Sequence, residues 1–140
     1  MNADVSVGAA VRGFAFACCL VPAAALAGEP GFVGVVLYDN AAEGVARDVF
    51  APDTAKIVLE ADLQDVPTGA RLSGVWIATS TQVAPPDYEI DRTTLQAGLL
   101  SNHVKFALNR PDAGWPSGQY RVELWIDDRL VETVPFTIAK

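Results

Sequence analysis

Short runs in which apolar and polar residues alternate recur from residue 32 to residue 138, and clusters of Gly, Pro and Asp separate them. Alternation places every second side chain on one face of an extended strand, so it predicts antiparallel strands with one buried face. The predicted strands cover residues 32–38, 56–63, 71–79, 87–91, 104–108, 120–126 and 130–138. The chain is therefore predicted to fold as layered β-sheets without a long helix.

Individual residues refine this prediction. The run 71–79 is apolar on both faces, which is typical of an interior strand, and its Trp76 is expected to fill the core. Tyr120 shares its parity with the core residues of its strand, whereas Trp125 falls on the opposite face. Pro135 has no N–H to donate, so it marks the last strand as an edge or a bulge. Asp127-Asp128 is predicted to form the hairpin turn before that strand.

Only the segment from Asn40 to Val49 suggests a helix. Asn40 and Glu43 have the spacing of a capping box, and Val45 and Val49 lie four residues apart. Gly44 weakens the pattern. One turn of helix and a loop are equally compatible with the sequence.

Residues 1–27 have the layout of a secretory signal peptide. Arg12 precedes an apolar stretch from Gly13 to Leu26, and the small residues of Ala25-Leu26-Ala27 predict cleavage after Ala27. The stretch is shorter than the roughly 20 residues that span a bilayer. A lipid anchor on Cys18 or Cys19 is the alternative, although Leu, usual three residues before such a cysteine, is missing. We therefore expect a periplasmic or secreted protein with no membrane span.

Both cysteines lie in this leader, so cleavage would leave no thiol for a disulfide, a nucleophile or a zinc site. The leader holds one acidic and one basic residue, so its removal keeps the net charge at −7. Such acidity argues against nucleic acid as a partner, because Lys and Arg dominate phosphate binding. The remaining length suits one domain, in which residues 28–49 form an N-terminal strand and connection, and residues 50–140 the main fold.

Roughly twelve-residue strand spacing predicts an immunoglobulin-like antiparallel β-sandwich of about seven strands. The C-terminal motif is Trp115-Pro116-Ser117-Gly118 leading into Tyr120-Arg121-Val122-Glu123, followed by Pro135-Phe136-Thr137-Ile138. It resembles the closing hairpin of small immunoglobulin-like modules in exported bacterial proteins, and residues 50–54 resemble their opening. The resemblance implies this fold over residues 50–138. It brings no catalytic motif and therefore no functional residue.

His103 is the only histidine, and with Ser101 and an Asp it would be the base of a catalytic triad. The sequence has no Gly-x-Ser-x-Gly elbow to present the serine, so His103 is expected at a surface turn. One His without Cys also fails to complete a tetrahedral zinc site. We expect no enzymatic activity and no cofactor.

Asp87, Glu89 and Asp91 alternate along one predicted strand, which would place three carboxylates on one face. Oxygen ligands of this kind suit calcium. Same-face residues on a strand are roughly 7 Å apart, however, too far to share one ion without a bend. A solvated acidic face is the preferred interpretation.

Trp125, Arg121 and Trp115 are the candidate binding residues. An outward Trp125 with a second aromatic would stack on a sugar ring or on a protein partner, unless residues 28–49 fold across that face. We expect an exported, non-catalytic protein-interaction module of the bacterial cell envelope. Glycan or cell-wall binding is the alternative, and a metal-dependent or hydrolytic site is a third.

Overall fold

The computed structural model describes residues 28–140. The predicted signal peptide, its cleavage site and the alternative lipid anchor on Cys18 or Cys19 lie outside these residues. Within residues 28–140, no helix is long and apolar enough to cross a membrane.

The described residues form eight strands, one more than predicted. The strands are β1 Gly31–Asp39, β2 Val49–Phe50, β3 Lys56–Gln64, β4 Arg71–Thr81, β5 Tyr88–Gln96, β6 His103–Asn109, β7 Gly118–Ile126 and β8 Arg129–Ile138. The additional strand, β2, contains only two residues. Such a short pair carries no alternation, so the sequence pattern did not reveal it.

The strands form two sheets that pack face to face around one core. The smaller sheet has the order β1-β3-β6, and the larger has the order β2-β8-β7-β4-β5. All pairs are antiparallel except β2 and β8, which run parallel. The segment 28–49 contributes β1 to the smaller sheet and the first residue of β2, Val49, to the larger.

The segment between β1 and β2 contains a short 3-10 helix, Asn40–Ala42. Its N-cap is Asp39, whose carboxylate accepts a hydrogen bond from the Ala41 N–H at 2.9 Å. The predicted capping box of Asn40 and Glu43 is therefore wrong. Asp39 ends β1 in extended conformation and is thus the residue with the geometry of a cap.

Aromatic rings form the centre of the core, as predicted for Trp76. Trp76 is completely buried and meets Phe136 edge-to-face, with ring centroids 6.1 Å apart. Phe136 also stacks on Tyr120 at 5.2 Å and meets Phe50 edge-to-face at 5.8 Å. One ring of β8 thus connects β2, β4 and β7.

Gly74 sets the distance between the sheets. A Cβ at this position of β4 would lie 2.7 Å from the Phe106 ring of β6, which is closer than Cβ atoms pack. The missing side chain allows Phe106 to rest directly on the β4 backbone. As a result, β6 lies over β4, and β5 extends beyond it as the last strand of the larger sheet.

Two local predictions about the C-terminal hairpin are confirmed. Asp127-Asp128 forms the two-residue turn between β7 and β8, with Asp127 at a φ of 53°. Pro135 lies opposite Arg121 of β7, and β2 pairs with β8 only at Thr137 and Ile138. At Pro135, β8 is therefore an edge.

Candidate binding site on the five-stranded sheet

Charged side chains cover the outer face of the larger sheet. Val75 and Ile77 of β4 point away from the core, yet both are buried. In the register of the sheet, Val75 lies between Arg92 of β5 and Glu123 of β7. The aliphatic stems of such long side chains lie along apolar neighbours while their charged ends face water. This cover explains why β4 is apolar on both faces.

Arg121, one of the predicted binding residues, has its guanidinium bound within the protein. It donates to Glu123 Oε2 at 2.9 Å, to Asp87 Oδ1 at 2.7 Å and to Thr79 Oγ1 at 3.0 Å. The hydrogen bonds from Asp87 and Glu123 raise the pKa of Arg121. Arg121 therefore joins the start of β5 to β4 and β7 and has few donors left for a ligand.

Trp125 lies half-buried on the outer face, as its parity predicted, and donates its indole N–H to Glu123 Oε1 at 3.2 Å. Beside it is a depression of about 380 Å³. Trp125 shares its lining with Arg71, Ser73, Arg92, Thr94, Asp127 and Asp128. None of these belongs to the segment 28–49, so that segment does not line the depression. Within residues 28–140, the lining includes no second aromatic residue.

The depression combines hydrogen-bond donors and acceptors. The hydroxyls of Ser73 and Thr94 are 3.0 Å apart on its floor, and Arg71 donates to Asp128 Oδ1 at 3.1 Å. Arg92 donates twice to Glu89, at 2.9 and 3.2 Å, and these bonds lower the pKa of Glu89. An aromatic ring next to such polar groups has the chemistry to hold a polyhydroxylated ligand.

Trp115, the third predicted binding residue, does not contribute an exposed ring. It is 3% exposed and donates its indole N–H to the Thr54 carbonyl at 2.7 Å. Its ring meets Tyr120 edge-to-face at 6.0 Å. Trp115, named among the candidate binding residues from its sequence, is therefore held in the core by a partner 61 residues away.

The three carboxylates of β5 do not share a face. A β-bulge places Asp91 opposite Trp76 but Glu89 opposite Ile77, and these two β4 residues point to opposite sides. Asp87 precedes the strand in the left-handed region, with a φ of 57°. The single acidic face predicted for Asp87, Glu89 and Asp91 is therefore wrong. No group of three metal-ligating side chains occurs within residues 28–140.

His103 begins β6 on the smaller sheet, away from the depression. Its Nδ1 lies 3.0 Å from Asp62 Oδ1, and its Nε2 lies 3.7 Å from Glu60 Oε1. Ser101 instead accepts a hydrogen bond from the Gly98 N–H at 2.8 Å. In the described part of the chain, no hydrogen bond joins Ser101 to His103. The constellation considered for a triad is not assembled here.

Lys105 and Glu60 form an ion pair on the outer face of the smaller sheet. Lys105 Nζ lies 2.8 Å from Glu60 Oε1 and 3.6 Å from Glu43 Oε2. The Lys105 hydrogen bond lowers the pKa of Glu60, and burial raises the pKa of the neighbouring Tyr38. These residues pair with one another and leave no unpartnered charge to mark a site.

Strand β5 is the feature that the sequence did not single out. It ends its sheet, so one side of its nine-residue backbone has no strand partner among the described residues. Of the nine large apolar residues that are exposed within residues 28–140, five lie on β5 or in the loops beside it: Val83, Tyr88, Leu95, Leu99 and Leu100. Leu99 and Leu100 are 83% and 89% exposed. Exposed apolar residues thus lie on the open edge strand and in the loops at both of its ends.

No protein-family model matches the chain, and no curated protein matches it. Among solved structures, the chain is similar to the crystal structure of an immunoglobulin-like protein from Pseudomonas aeruginosa. The TM-score is 0.50 at 16% identity, and the match covers 81% of this chain and 94% of that one. At this identity the likeness concerns the fold alone.

The strand order agrees with that likeness. Strands β8, β7, β4 and β5 follow the G-F-C order with the additional C′ strand of variable-type domains, and β4 carries the buried Trp. The Tyr120 hydroxyl donates to the Pro116 carbonyl four residues upstream, as in the tyrosine corner of that fold. The predicted fold class is confirmed: the chain is an immunoglobulin-like β-sandwich.

Proposed function

We propose that the protein is an exported, non-catalytic interaction module of the bacterial periplasm or cell exterior. In this proposal an extended segment of a protein partner adds to the open edge of β5. The observation that carries the proposal is the unpaired edge of β5 with exposed apolar residues along it. Unpaired N–H and C=O groups on an edge strand give affinity to an added strand, and neighbouring apolar surface adds specificity.

The other free edges fit this role less well. Strand β6 has seven residues, and none of them is a large exposed apolar residue. Strand β1 has a β-bulge between Val33 and Val36, with Gly34 at a φ of 62°, which interrupts regular pairing. The bulge of β5 lies nearer its start, at Ile90, and leaves residues 91–96 in regular register. Strand β5 is therefore the preferred docking edge.

The test selects displayed random heptapeptides on the full chain and maps the selected peptides by hydrogen exchange. We expect slowed exchange of amides in residues 88–96 and unchanged exchange in residues 103–109. The β6 amides are the internal control, because that strand is also an edge. Selection of no peptide above background, or protection confined to β6 or β1, would refute the proposal.

Export has a separate test, since the leader pattern alone supports it. When the full chain is produced with its leader in a secreting bacterium, we expect the recovered protein to begin at Gly28. N-terminal sequencing checks this directly. An N-terminus at Cys18 or Cys19 would instead support the lipid anchor, and an intact Met1 in the cytoplasm would contradict export.

The depression beside Trp125 favours a second function, glycan binding. We expect neutral oligosaccharides and cell-wall fragments to change the emission of Trp125. Trp125→Ala should abolish binding, and Trp125→Phe should retain part of it because a ring remains. Unchanged fluorescence across a panel of β-linked oligosaccharides and peptidoglycan fragments would exclude this function.

A further inference from the structure

A second, apolar pocket lies at the end of the sandwich where β4 ends and where β5 and β7 begin. It has a volume of about 180 Å³. Its wall includes Ala78, Ala84, Tyr88, Ile90, Trp115 and Tyr120. A dry apolar cavity of roughly 150 Å³ is large enough for benzene, so this pocket has room for one leucine or phenylalanine side chain.

The polar atoms of the two aromatic residues at the inner end of the pocket are already bound inside the protein. Trp115 donates its indole N–H to the Thr54 carbonyl, and Tyr120 donates its hydroxyl to the Pro116 carbonyl. A group entering the pocket therefore meets ring faces and methyl groups. Because the lining is almost entirely apolar, an apolar group gains by entering, whereas a polar group would lose hydrogen bonds to water.

The pocket is preformed. The rings of Trp115 and Tyr120 fix each other edge-to-face, and Tyr120 stacks on Phe136 in the core. On the opposite wall, the Ala84 N–H donates to Thr81 Oγ1 at 3.2 Å, which holds the loop between β4 and β5. A ligand would not have to order these residues, so little conformational entropy opposes its entry.

The pocket and the open edge share two residues, Tyr88 and Ile90 of β5. The bulge opposite Trp76 and Ile77 leaves Ile90 unpaired, and Ile90 lines the pocket. Every second side chain of a strand added to β5 would point to the inner side, beyond the cover of β6. At this end of β5, one such side chain would lie over the pocket.

The charges beside the pocket indicate which other side chain the partner needs. Asp91 follows Ile90 with an exposed carboxylate, and no ion pair involves it within residues 28–140. Asp87 and Glu89, by contrast, are bound by Arg121 and Arg92. A second copy of the chain would oppose like charges here, since each copy has a net charge of −7. A cationic partner is the complementary choice.

We propose that the partner of β5 is an extended segment with one large apolar side chain, which inserts into this pocket, and a nearby Lys or Arg facing Asp91. This inference rests on the proposed pairing at β5 and adds the side chains that the partner must present. The pocket supplies the anchor that fixes the register of the added strand.

The test uses the heptapeptides selected on the full chain. We expect one position to be enriched in Leu, Ile, Phe or Met and a position within three residues of it to be enriched in Lys or Arg. Ala84→Leu, which fills the pocket, should weaken a selected peptide at least tenfold. Asp91→Asn should weaken it severalfold and reduce its salt dependence. Val45→Ala, an exposed change in the loop between β1 and β2, is the control and should leave affinity unchanged.

Tyr88→Ala provides a variant that widens the pocket instead of filling it. We expect repeated selection to favour a larger side chain, such as Trp, at the anchor position. Protection of β5 without an apolar preference, and with Ala84→Leu binding normally, would overturn this inference while the proposed function survives. Absence of any β5 protection would overturn both.

Discussion

The two edges of the five-stranded sheet differ in how far they are protected against pairing with another strand. At one edge, β2 pairs with the last two residues of β8, the Thr137 N–H donates to the Asp48 carbonyl at 2.8 Å, and Pro135 removes a donor from the part of β8 that β2 leaves unpaired. At the other edge, β5 presents nine residues without a further strand. Natural sheets protect edges against unwanted pairing. The first edge is thus partly protected by a short strand and a proline, whereas neither device is present along β5.

Removing the Phe50 side chain, which packs β2 onto the core, should have the largest effect on stability. Phe50 is buried against Phe136, so Phe50→Ala leaves a cavity and detaches β2. We expect a loss of about 3–5 kcal/mol in the free energy of unfolding, measured by denaturant titration. Val49→Ala, at the exposed neighbouring position of β2, should stay within about 0.5 kcal/mol. Equal losses of stability in both variants would show that Phe50 is not the residue that holds β2 in place.

The open edge depends on β6 lying over β4 and leaving β5 uncovered, which Gly74 permits. Gly74→Ala places a methyl group against the Phe106 ring and should destabilise the fold by about 1–3 kcal/mol. Gly31→Ala is the matched control, because a Cβ there meets nothing within 4 Å. Thermal unfolding of both variants checks this, and a neutral Gly74→Ala would show that the sheets are less closely packed.

Arg121 holds the start of β5 in place through its side-chain hydrogen bonds. Arg121→Met keeps the length of the side chain but removes the bonds to Asp87, Glu123 and Thr79. We expect a global loss of about 1 kcal/mol and faster hydrogen exchange near residues 87–90. Arg110→Met is the control, since its side chain bonds only the Asp53 carbonyl outside β5. Unchanged exchange near Asp87 would argue against this role.

The smallest effect concerns the ion pair within β5. Arg92 lowers the pKa of Glu89 below its ordinary value of 4.5, so folding favours the carboxylate. That contribution is present above the unfolded pKa and is lost as the pH falls through the lowered folded pKa. Glu89→Gln should therefore cost about 0.3 kcal/mol at pH 7, because the pair is exposed. The difference from the parent chain should shrink as the pH falls below 4.5 and vanish once Glu89 is protonated in the folded state, and a difference that grows in acid would be inconsistent with the pair.

The strands could be predicted where one face is buried and pairing is regular. Leu59, Ala61 and Leu63 alternate with Glu60 and Asp62 in β3, and these apolar residues are less exposed than the carboxylates between them. β2 was missed because its two residues pair through tertiary contacts. The bulge in β5 was missed because which residue is extra depends on β4 as well as on β5. That single residue separated Glu89 from Asp91.

The candidate sites were harder to predict. The position of Trp125 followed from parity, but the burial of Trp115 depends on the distant Thr54 carbonyl. The apolar pocket combines residues from β4, β5, β7 and two loops, each of which resembles ordinary core or loop sequence by itself. A run of exposed leucines at Leu99-Leu100 was the one local signal beside β5.

The buried indole of Trp76 gives the molecule a spectroscopic property. Its N–H is the only buried side-chain polar atom without a hydrogen-bond partner among residues 28–140, so this ring lies in a dry and apolar environment. Trp115 is buried but hydrogen-bonded, and Trp125 is partly exposed to solvent. The three rings should therefore emit at separate wavelengths, Trp76 furthest to the blue. Unfolding and ligand binding would be read from different parts of one emission spectrum, without any added label.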